Sequence, residues 1–307
     1  MKKRRHHHVW KAYLRAWAAK DKIKVLQNNR IRGADLDDVA VEKDFYKLHA
    51  LTPLEIAFIK KIWIEPSPPE SRQLHEDTLF MFSVWTRLKE QLTQAEASAS
   101  PELAEFLEEQ VHNAEEDFHA KLESQAAPLI EAARNGDISF YKDDQNAILI
   151  SHFVSLQHLR TAAIRKRIVA RFEKTSLPVD IARCWNVISH ITAANVGFTL
   201  FADRKRRPLA LLDNGTSIPF LTSDQPTVNI LGGTSEDAPP EHLALYYPVS
   251  PRYALILDDA EAPSRIAEAP LTEEIVMRLN QAEVRASRRQ VFADTETALA
   301  PHLLPEV

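Results

Sequence analysis

An α+β fold is expected of this chain on three grounds. Through the first two-thirds, apolar residues recur at intervals of three and four. From Gly197 onward the interval drops to two. Runs of helices are followed by runs of strands, and the two do not alternate. The expected architecture has N-terminal and central helices with a long helical insert, then a C-terminal, mostly antiparallel sheet and a terminal helix. The 307 residues are 45% hydrophobic, ample for a sizeable core. They read as a single domain over 1–307, with a helical lobe at about 52–135 and a strand-rich part at about 197–293.

The elements follow in order. Residues 9–19 suggest a short helix with Val9, Tyr13, Leu14 and Trp17 on one side, and 22–26 alternate as a strand. Val39 and Val41 suggest a second short strand. Thr52-Pro53-Leu54-Glu55 is a capping box with proline in the first helical position. That helix should stop near Ile64, because Pro66, Pro68 and Pro69 follow. A second helix is expected over 71–95. A third opens at Ser100-Pro101-Glu102, with Leu103, Leu107, Val111, Ala114, Phe118 and Leu122 as one buried stripe.

Asn135-Gly136 marks a turn, and 138–141 suggest an extended piece. Helical spacing returns over 144–172 and again over 179–194. Short β-like runs then cover 209–212, 217–221, 228–231, 243–249 and 253–257. Asn214-Gly215, Pro226, Gly232-Gly233 and Pro251 separate them, and Asn214-Gly215 reads as a hairpin turn. A last helix is expected over 272–289. Glu273 and Glu274 stand at its start and Arg285, Arg288 and Arg289 at its end, matching the macrodipole. Val291-Phe292 closes as a strand.

Composition excludes several classes. Six glycines without a G-x-G-x-x-G or G-x-x-x-x-G-K-[ST] fingerprint argue against a dinucleotide fold or a P-loop. A net charge of -5 and a pI near 6.2 give no global signal for nucleic acid or membrane. Basic charge is local: Lys2, Lys3, Arg4 and Arg5; Arg165, Lys166 and Arg167; Arg204, Lys205, Arg206 and Arg207. Such runs are ordinarily solvated, and phosphate contact is the sharper alternative. Cys184 is the one cysteine, so no intrachain disulfide forms. The basic start leads into histidines rather than an apolar run, and no stretch approaches the roughly 18–20 apolar residues of a membrane helix. A cytoplasmic location and no membrane partner are expected.

Several separated patches resemble a bacterial family known only as a domain of unknown function. His7-His8-Val9-Trp10-Lys11-Ala12-Tyr13-Leu14-Arg15-Ala16-Trp17 is similar to its opening His-His pair and aromatic helix. Its further patches resemble Val39 to Tyr46, Phe153 to Thr161, Phe220-Leu221-Thr222-Ser223-Asp224-Gln225-Pro226, Tyr247 to Tyr253, and Leu279-Asn280-Gln281 leading into Arg288 to Phe292. Members usually carry proline soon after the histidine pair, where this chain has Trp10 and Lys11. The resemblance implies no reaction, so chemistry rests on residues.

His6, His7 and His8 beside a helix start suit metal ligation or general base work; the plain alternative is a basic tail. Neighbours on an extended chain point opposite ways, so one or two of them share a cavity. Thr222, Ser223 and Asp224 end an apolar run before rigid Pro226. Asp224 suits a metal, a histidine or a proton there, or it caps backbone N–H groups in a turn. Gln157 and Arg160 lie one helical turn apart and suit a phosphate or carboxylate, with a structural ion pair as the alternative. His112, Glu116 and His119 have metal-like spacing, but their face lies opposite the apolar stripe and reads as an exposed acidic surface. Cys184 beside Trp185 reads as core. Ser223 lacks the G-x-S-x-G elbow.

The functional expectation is a hydrolase of phosphodiester or phosphate-ester bonds, with a nuclease of bacterial defence as one form. His7, His8, Asp224 and Ser223 would do the chemistry. Thr222, Gln157 and Arg160 would bind substrate, and a divalent metal would sit on His7, His8 and Asp224. Nucleic acid, a nucleotide or a protein are the expected partners. The alternative is a non-enzymatic binding or regulatory module that recruits a protein through the helical lobe.

Overall fold

A computed structural model describes residues 1–94, 100–175, 177–206, 208–232, 240–258, 261 and 263–305. Ala95 at the end of the second expected helix, Arg207 of the third basic run and Gly233 of the Gly-Gly turn lie outside these.

The chain opens with β1 (Arg5–His7) and α1 (Lys11–Leu14), which tightens into a 3-10 turn at Arg15–Trp17. The expected helix over 9–19 is thus shorter, because Lys20 and Asp21 take positive φ and turn the chain into β2 (Lys22–Gln27). Asn28 and Asn29, with φ of 51° and 57°, return it as β3 (Arg30–Asp35). Asparagine tolerates this left-handed conformation, so the pair makes a tight hairpin. The short strand expected near Val41 is β4 (Val41–Lys43), paired with β1.

The capping box holds as expected. Thr52 accepts from the Glu55 N–H and the Glu55 carboxylate accepts from the Thr52 N–H, opening α2 (Pro53–Ile59). A π-helical turn follows at Lys60–Ile64. The long helices are α3 (Pro69–Gln94) and α4 (Pro101–Arg134), the latter capped by Ser100. Residues 138–141 are not extended. A 3-10 turn forms at Ser139–Lys142 because Asp137 Oδ1 accepts the Ser139 N–H. The expected single helix over 144–172 is two, α5 (Asp144–Leu159) and α6 (Ala162–Glu173). Thr161 leaves helical geometry and caps the second with its hydroxyl. Then comes α7 (Ile181–Ala202), which packs on α5 so closely that a Cβ at Gly197 would stand 2.6 Å from His152 Cα.

The remaining elements are β5 (Leu209–Asp213), β6 (Thr222–Ser223), β7 (Val228–Asn229), β8 (Leu245–Pro248), β9 (Tyr253–Leu257), α8 (Glu273–Ala286), β10 (Val291–Ala293) and α9 (Glu296–Leu299). Among the described residues, two four-stranded sheets stand beside the β1–β4 pair, β3-β2-β10-β6 and β5-β9-β8-β7, with antiparallel pairings throughout. Asn214-Gly215 does not form a hairpin, because β5 pairs with β9 and β6 with β10. Asn214 instead closes a local loop, accepting from Thr216 and donating to Ile218 O at 2.7 Å.

The fold is therefore α+β, with a long helical region followed by sheet and a terminal helix. The largest core joins α1, α4, α5 and the sheets through Tyr13, Trp17, Leu129, Phe153, Tyr247 and Phe292. Among the described residues no helix is long and apolar enough to cross a membrane.

A candidate cation centre beside a buried arginine

The stripe expected on α4 holds at Leu107, Val111 and Leu122, while Leu103 is exposed. The opposite face is not exposed as expected: His112 and His119 are both buried. The chain's own N-terminus covers it. Lys3 N–H donates to Asn113 Oδ1 at 2.8 Å, and Leu48 N–H donates to Val111 O at 2.9 Å. His112 is spoken for, with Nδ1 on Glu108 O at 2.8 Å.

The cluster this creates uses Glu115 and His119, one helical turn apart on α4, with His190 from α7. All three are buried, and one ligand atom from each lies within 4.8 Å of the others. His190 Nε2 stands 3.2 Å from Glu115 Oε1, and His119 Nε2 stands 3.6 Å from the same oxygen. Asn186, one turn before His190, donates to the other oxygen, Oε2. Neither ring nitrogen of His119 has a hydrogen-bond partner. Tyr46 and Phe82 wall the pair, each with its ring centroid 4.6 Å from His119 and His190 respectively.

The charge state suits a cation. Burial alone would raise the Glu115 carboxyl, but its contacts with His119 and His190 outweigh that and hold it below the usual carboxylate range. His119 is pushed down to about 3, by burial first and by the Arg160 guanidinium second. An ionised carboxylate with neutral imidazole is the protonation state that metal binding requires. One carboxylate and two imidazoles suit zinc or ferrous iron better than calcium or magnesium.

Arg160 sits at the break between α5 and α6. It is buried, with Nη2 2.8 Å from Glu123 Oε1 and Nε donating to His8 O at 3.3 Å. Around its charge lie buried groups that lack partners: the Tyr46 hydroxyl, one Glu116 oxygen and both ring nitrogens of His8. Burial pushes Glu116 up to about 7, against the pull of Arg160. Burial also pushes His8 down to about 3, with Arg160 adding to it. Gln157, one turn before Arg160, has a buried amide nitrogen without a partner.

The other expected site residues are placed as follows. His6 is fixed: its Nδ1 accepts the Tyr46 N–H and its Nε2 donates to Lys3 O. His7, on the other face of the strand, is half-buried, with Nδ1 unpartnered. Both Asp224 oxygens accept backbone N–H groups, from Arg288 at 2.7 Å, Arg289 at 2.8 Å and Gln290 at 3.2 Å. Thr222 Oγ1 donates to Tyr13 Oη at 2.7 Å, because that hydroxyl gives its own proton to Pro248 O. Ser223 Oγ stands 2.8 Å from Glu283 Oε2, and burial pushes that carboxyl well above its usual range. Arg160 and His8 are thus brought together. Among the described residues no hydrogen bond joins Asp224 to His7 or His8. The link is indirect: His8 N–H donates to Ala40 O, and Ala40 N–H donates to the Gln290 side chain.

Each residue of the first basic run has an acidic neighbour: Lys2 with Glu108, Lys3 with Asp117, Arg4 with Asp44 and Arg5 with Asp38. Glu115, Glu123, Tyr46, His190 and Glu283 escape the sequence reading. The available signals were Glu-x-x-x-His spacing on α4, and Asn186 and His190 set one turn apart in an apolar helix.

A family model described as "Protein of unknown function (DUF4238)" matches residues 5–181 and 192–297. The interval between the matched segments holds Asn186 and His190. No curated protein and no solved structure matches the chain.

Proposed function

The chain belongs to this family of unknown function, and from its geometry we propose that it is a metal-assisted hydrolase of phosphodiester or phosphate-ester bonds. The observation that carries the reading is the buried Glu115–His119–His190 cluster in the electrostatic reach of Arg160. When bound, a divalent cation would supply Lewis acidity toward a phosphoryl oxygen and lower the pKa of water. Glu115, His119 and His190 would hold it, and Asn186 would fix the carboxylate. Arg160 and Gln157 would hold the phosphoryl group, a role for which guanidinium suits planar oxygen pairs. Glu116, pushed up to about 7 by burial, suits a general acid, whereas His8, held near 3, is too weak a base for that role. Thr222, Ser223 and Asp224 act in this reading as the frame that fixes the strand and the 288–290 turn. A nuclease, including one of bacterial defence, is one form of this activity, with nucleic acid or a nucleotide as the partner.

A second reading is favoured by the saturation of Asp224 and by the Arg160 contact with His8 O. These polar groups brace backbone, as they would in a binding or regulatory module whose helical lobe meets a protein.

The deciding experiment pairs cation binding with turnover. Wild type, His119→Gln, His190→Gln and Arg160→Lys are titrated with Zn²⁺, Mn²⁺ and Fe²⁺, then given bis(p-nitrophenyl) phosphate, DNA and RNA. Turnover that disappears in folded variants supports the hydrolase. A bound cation without turnover on any phosphate ester turns the proposal toward other metal chemistry, and no bound cation leaves the module.

A further inference from the structure

Glu115, His119 and His190 are each at most 4% exposed, so part of the protein must move before a hydrated cation or an ester reaches them. On one side movement is costly. Phe82 of α3 and Phe118 of α4 set their rings 4.6 and 4.9 Å from that of His190, within the helical core. Parting those helices would bring their apolar surface into water.

Another side is closed by residues 1–6. The His6 ring stacks on that of Tyr46 at 5.5 Å and 29°, and the Tyr46 ring lies 4.6 Å from that of His119. His6 Nδ1 accepts the Tyr46 N–H at 2.8 Å, which ties this wall of the centre to the segment above it. What holds the segment down is polar. Among the described residues β1 pairs with β4 alone, extended by the Asp44 N–H donating to Arg4 O at 2.8 Å. A lone two-stranded ladder is marginal in water. Lys3 N–H donates to Asn113 Oδ1 at 2.8 Å, Lys3 Nζ stands 2.5 Å from Asp117 Oδ1, and Lys2 Nζ stands 3.9 Å from Glu108 Oε1. Both lysines and Asp117 are exposed, and exposed ion pairs are individually weak and screened by salt. The one apolar side chain of residues 1–8 is Met1, which is 93% exposed, and the first apolar anchor is the buried Val9.

We propose that residues 1–6 are a strap over the cation centre, which lifts as a unit about His7 to admit cation and substrate. The inference rests on the candidate centre described above and adds its gate. Lifting breaks the β1–β4 ladder and the Lys3 contacts, withdraws His6 from Tyr46 and opens the Tyr46 side of His119. The core packing around Phe82 and Phe118 stays intact. Salt favours the lifted form, because it screens the ion pairs of the strap and not the contacts of the core.

The test places a thiol in the centre and needs no cation. His119→Cys is made in a Cys184→Ala background and labelled with dithiodipyridine, an uncharged reagent. Asn113→Ala with Asp117→Ala releases Lys3 at two points and should speed labelling about tenfold. Raising NaCl to about 0.5 M should speed it severalfold in the unreleased chain. If the thiol variant fails to fold, hydrogen exchange of the Tyr46 N–H in the otherwise unaltered chain reads the same opening, because His6 holds that N–H. Rates unchanged on release would overturn the proposal. So would an equal acceleration at the buried Cys184 of a chain that keeps it, which marks global unfolding. In the chain that keeps His119, release should let Zn²⁺ enter and leave faster at unchanged affinity. Labelling that responds while no Zn²⁺ binds would overturn the hydrolase reading and keep the strap. Zn²⁺ binding with labelling that does not respond would do the reverse.

Discussion

His119 on α4 and His190 on α7 hold their ring centroids 5.1 Å apart, and both Nε2 atoms converge on Glu115 Oε1. Cation affinity should therefore depend on two helices at once. His190→Gln, read by calorimetry with Zn²⁺, should abolish binding, because two ligands remain. Asn186→Ala leaves all three ligands but frees the carboxylate, and should weaken binding by about 10–100-fold. Unchanged affinity in His190→Gln would exclude this centre.

Buried Arg160 and partly buried Glu123 form one ion pair, so their removal is not additive. Arg160→Met should destabilise the fold by about 3–5 kcal/mol, since Glu123 is left partly buried without its cation. Adding Glu123→Gln should recover much of that loss in a double-mutant cycle of urea unfolding. If the two changes add, the pair is not coupled.

Asp224 holds three backbone N–H groups of the 288–290 turn. Asp224→Ala should cost about 3–5 kcal/mol, given about 1.5–3 for each hydrogen bond to a charged group and partial relaxation of the turn. Asp224→Asn should fall between. Below its melting midpoint, Asp224→Asn should bind cations like wild type. Loss of binding in that folded variant would restore Asp224 to the ligand set.

Buried histidines outside the cation centre, His8 and His158 among them, set an acid limit on stability. Burial first, and then Arg160, push His8 down to about 3; burial and then Arg167 push His158 to about 4, against the pull of the Thr227 carbonyl. Their unfolded value is about 6.5. Above it both states hold neutral histidine and no stability is lost. As pH falls from about 6.5 toward 4, only the unfolded chain takes up these protons. Each histidine then costs about 1.4 kcal/mol per pH unit. Urea midpoints should drop over that window, and His158→Gln should reduce the slope by one proton's worth. A flat profile between pH 6.5 and 4 would contradict the neutral burial.

Gly197 marks the close crossing of α5 and α7. An added methyl would meet His152 Cα at 2.6 Å and His152 N at 2.9 Å, both backbone atoms that cannot swing aside. Gly197→Ala should lower stability by about 1–3 kcal/mol despite its better helix propensity. A variant that melts higher than wild type would show that the helices part freely.

What the sequence revealed was local. The Thr52–Glu55 box and the opening of α4 at Ser100 lie within one helical turn, and each stands where expected. Helix α8 also opens beside Thr272, but it ends at Ala286, where Ser287 turns extended, so Arg288 and Arg289 lie beyond it. Pairing was not legible, because β2 finds β10 some 265 residues later by sequence number (Leu26 against Val291) and no periodicity encodes that. The same limit hid the site. His112, Glu116 and His119 share a helical face and seemed exposed, because nothing in α4 says that residues 1–8 and 44–48 lie across it. Glu115 needed His190 from another helix to become visible as a candidate ligand. The spacing of Gln157 and Arg160 was legible because a single turn of helix separates them, whereas the Glu123 partner of Arg160 lies on another helix.

The sheet order β3-β2-β10-β6 also sets a timetable for synthesis. The strand at 22–27 leaves the ribosome long before its second neighbour, 291–293, is made. Until then β2 has one open edge, and β6 waits for the same strand. The helices can associate during translation, but this sheet closes only once residues 291–293 have been made. A product truncated before residue 291 would keep its helical lobe and present two unpaired strand edges, a form prone to aggregate rather than a smaller working protein.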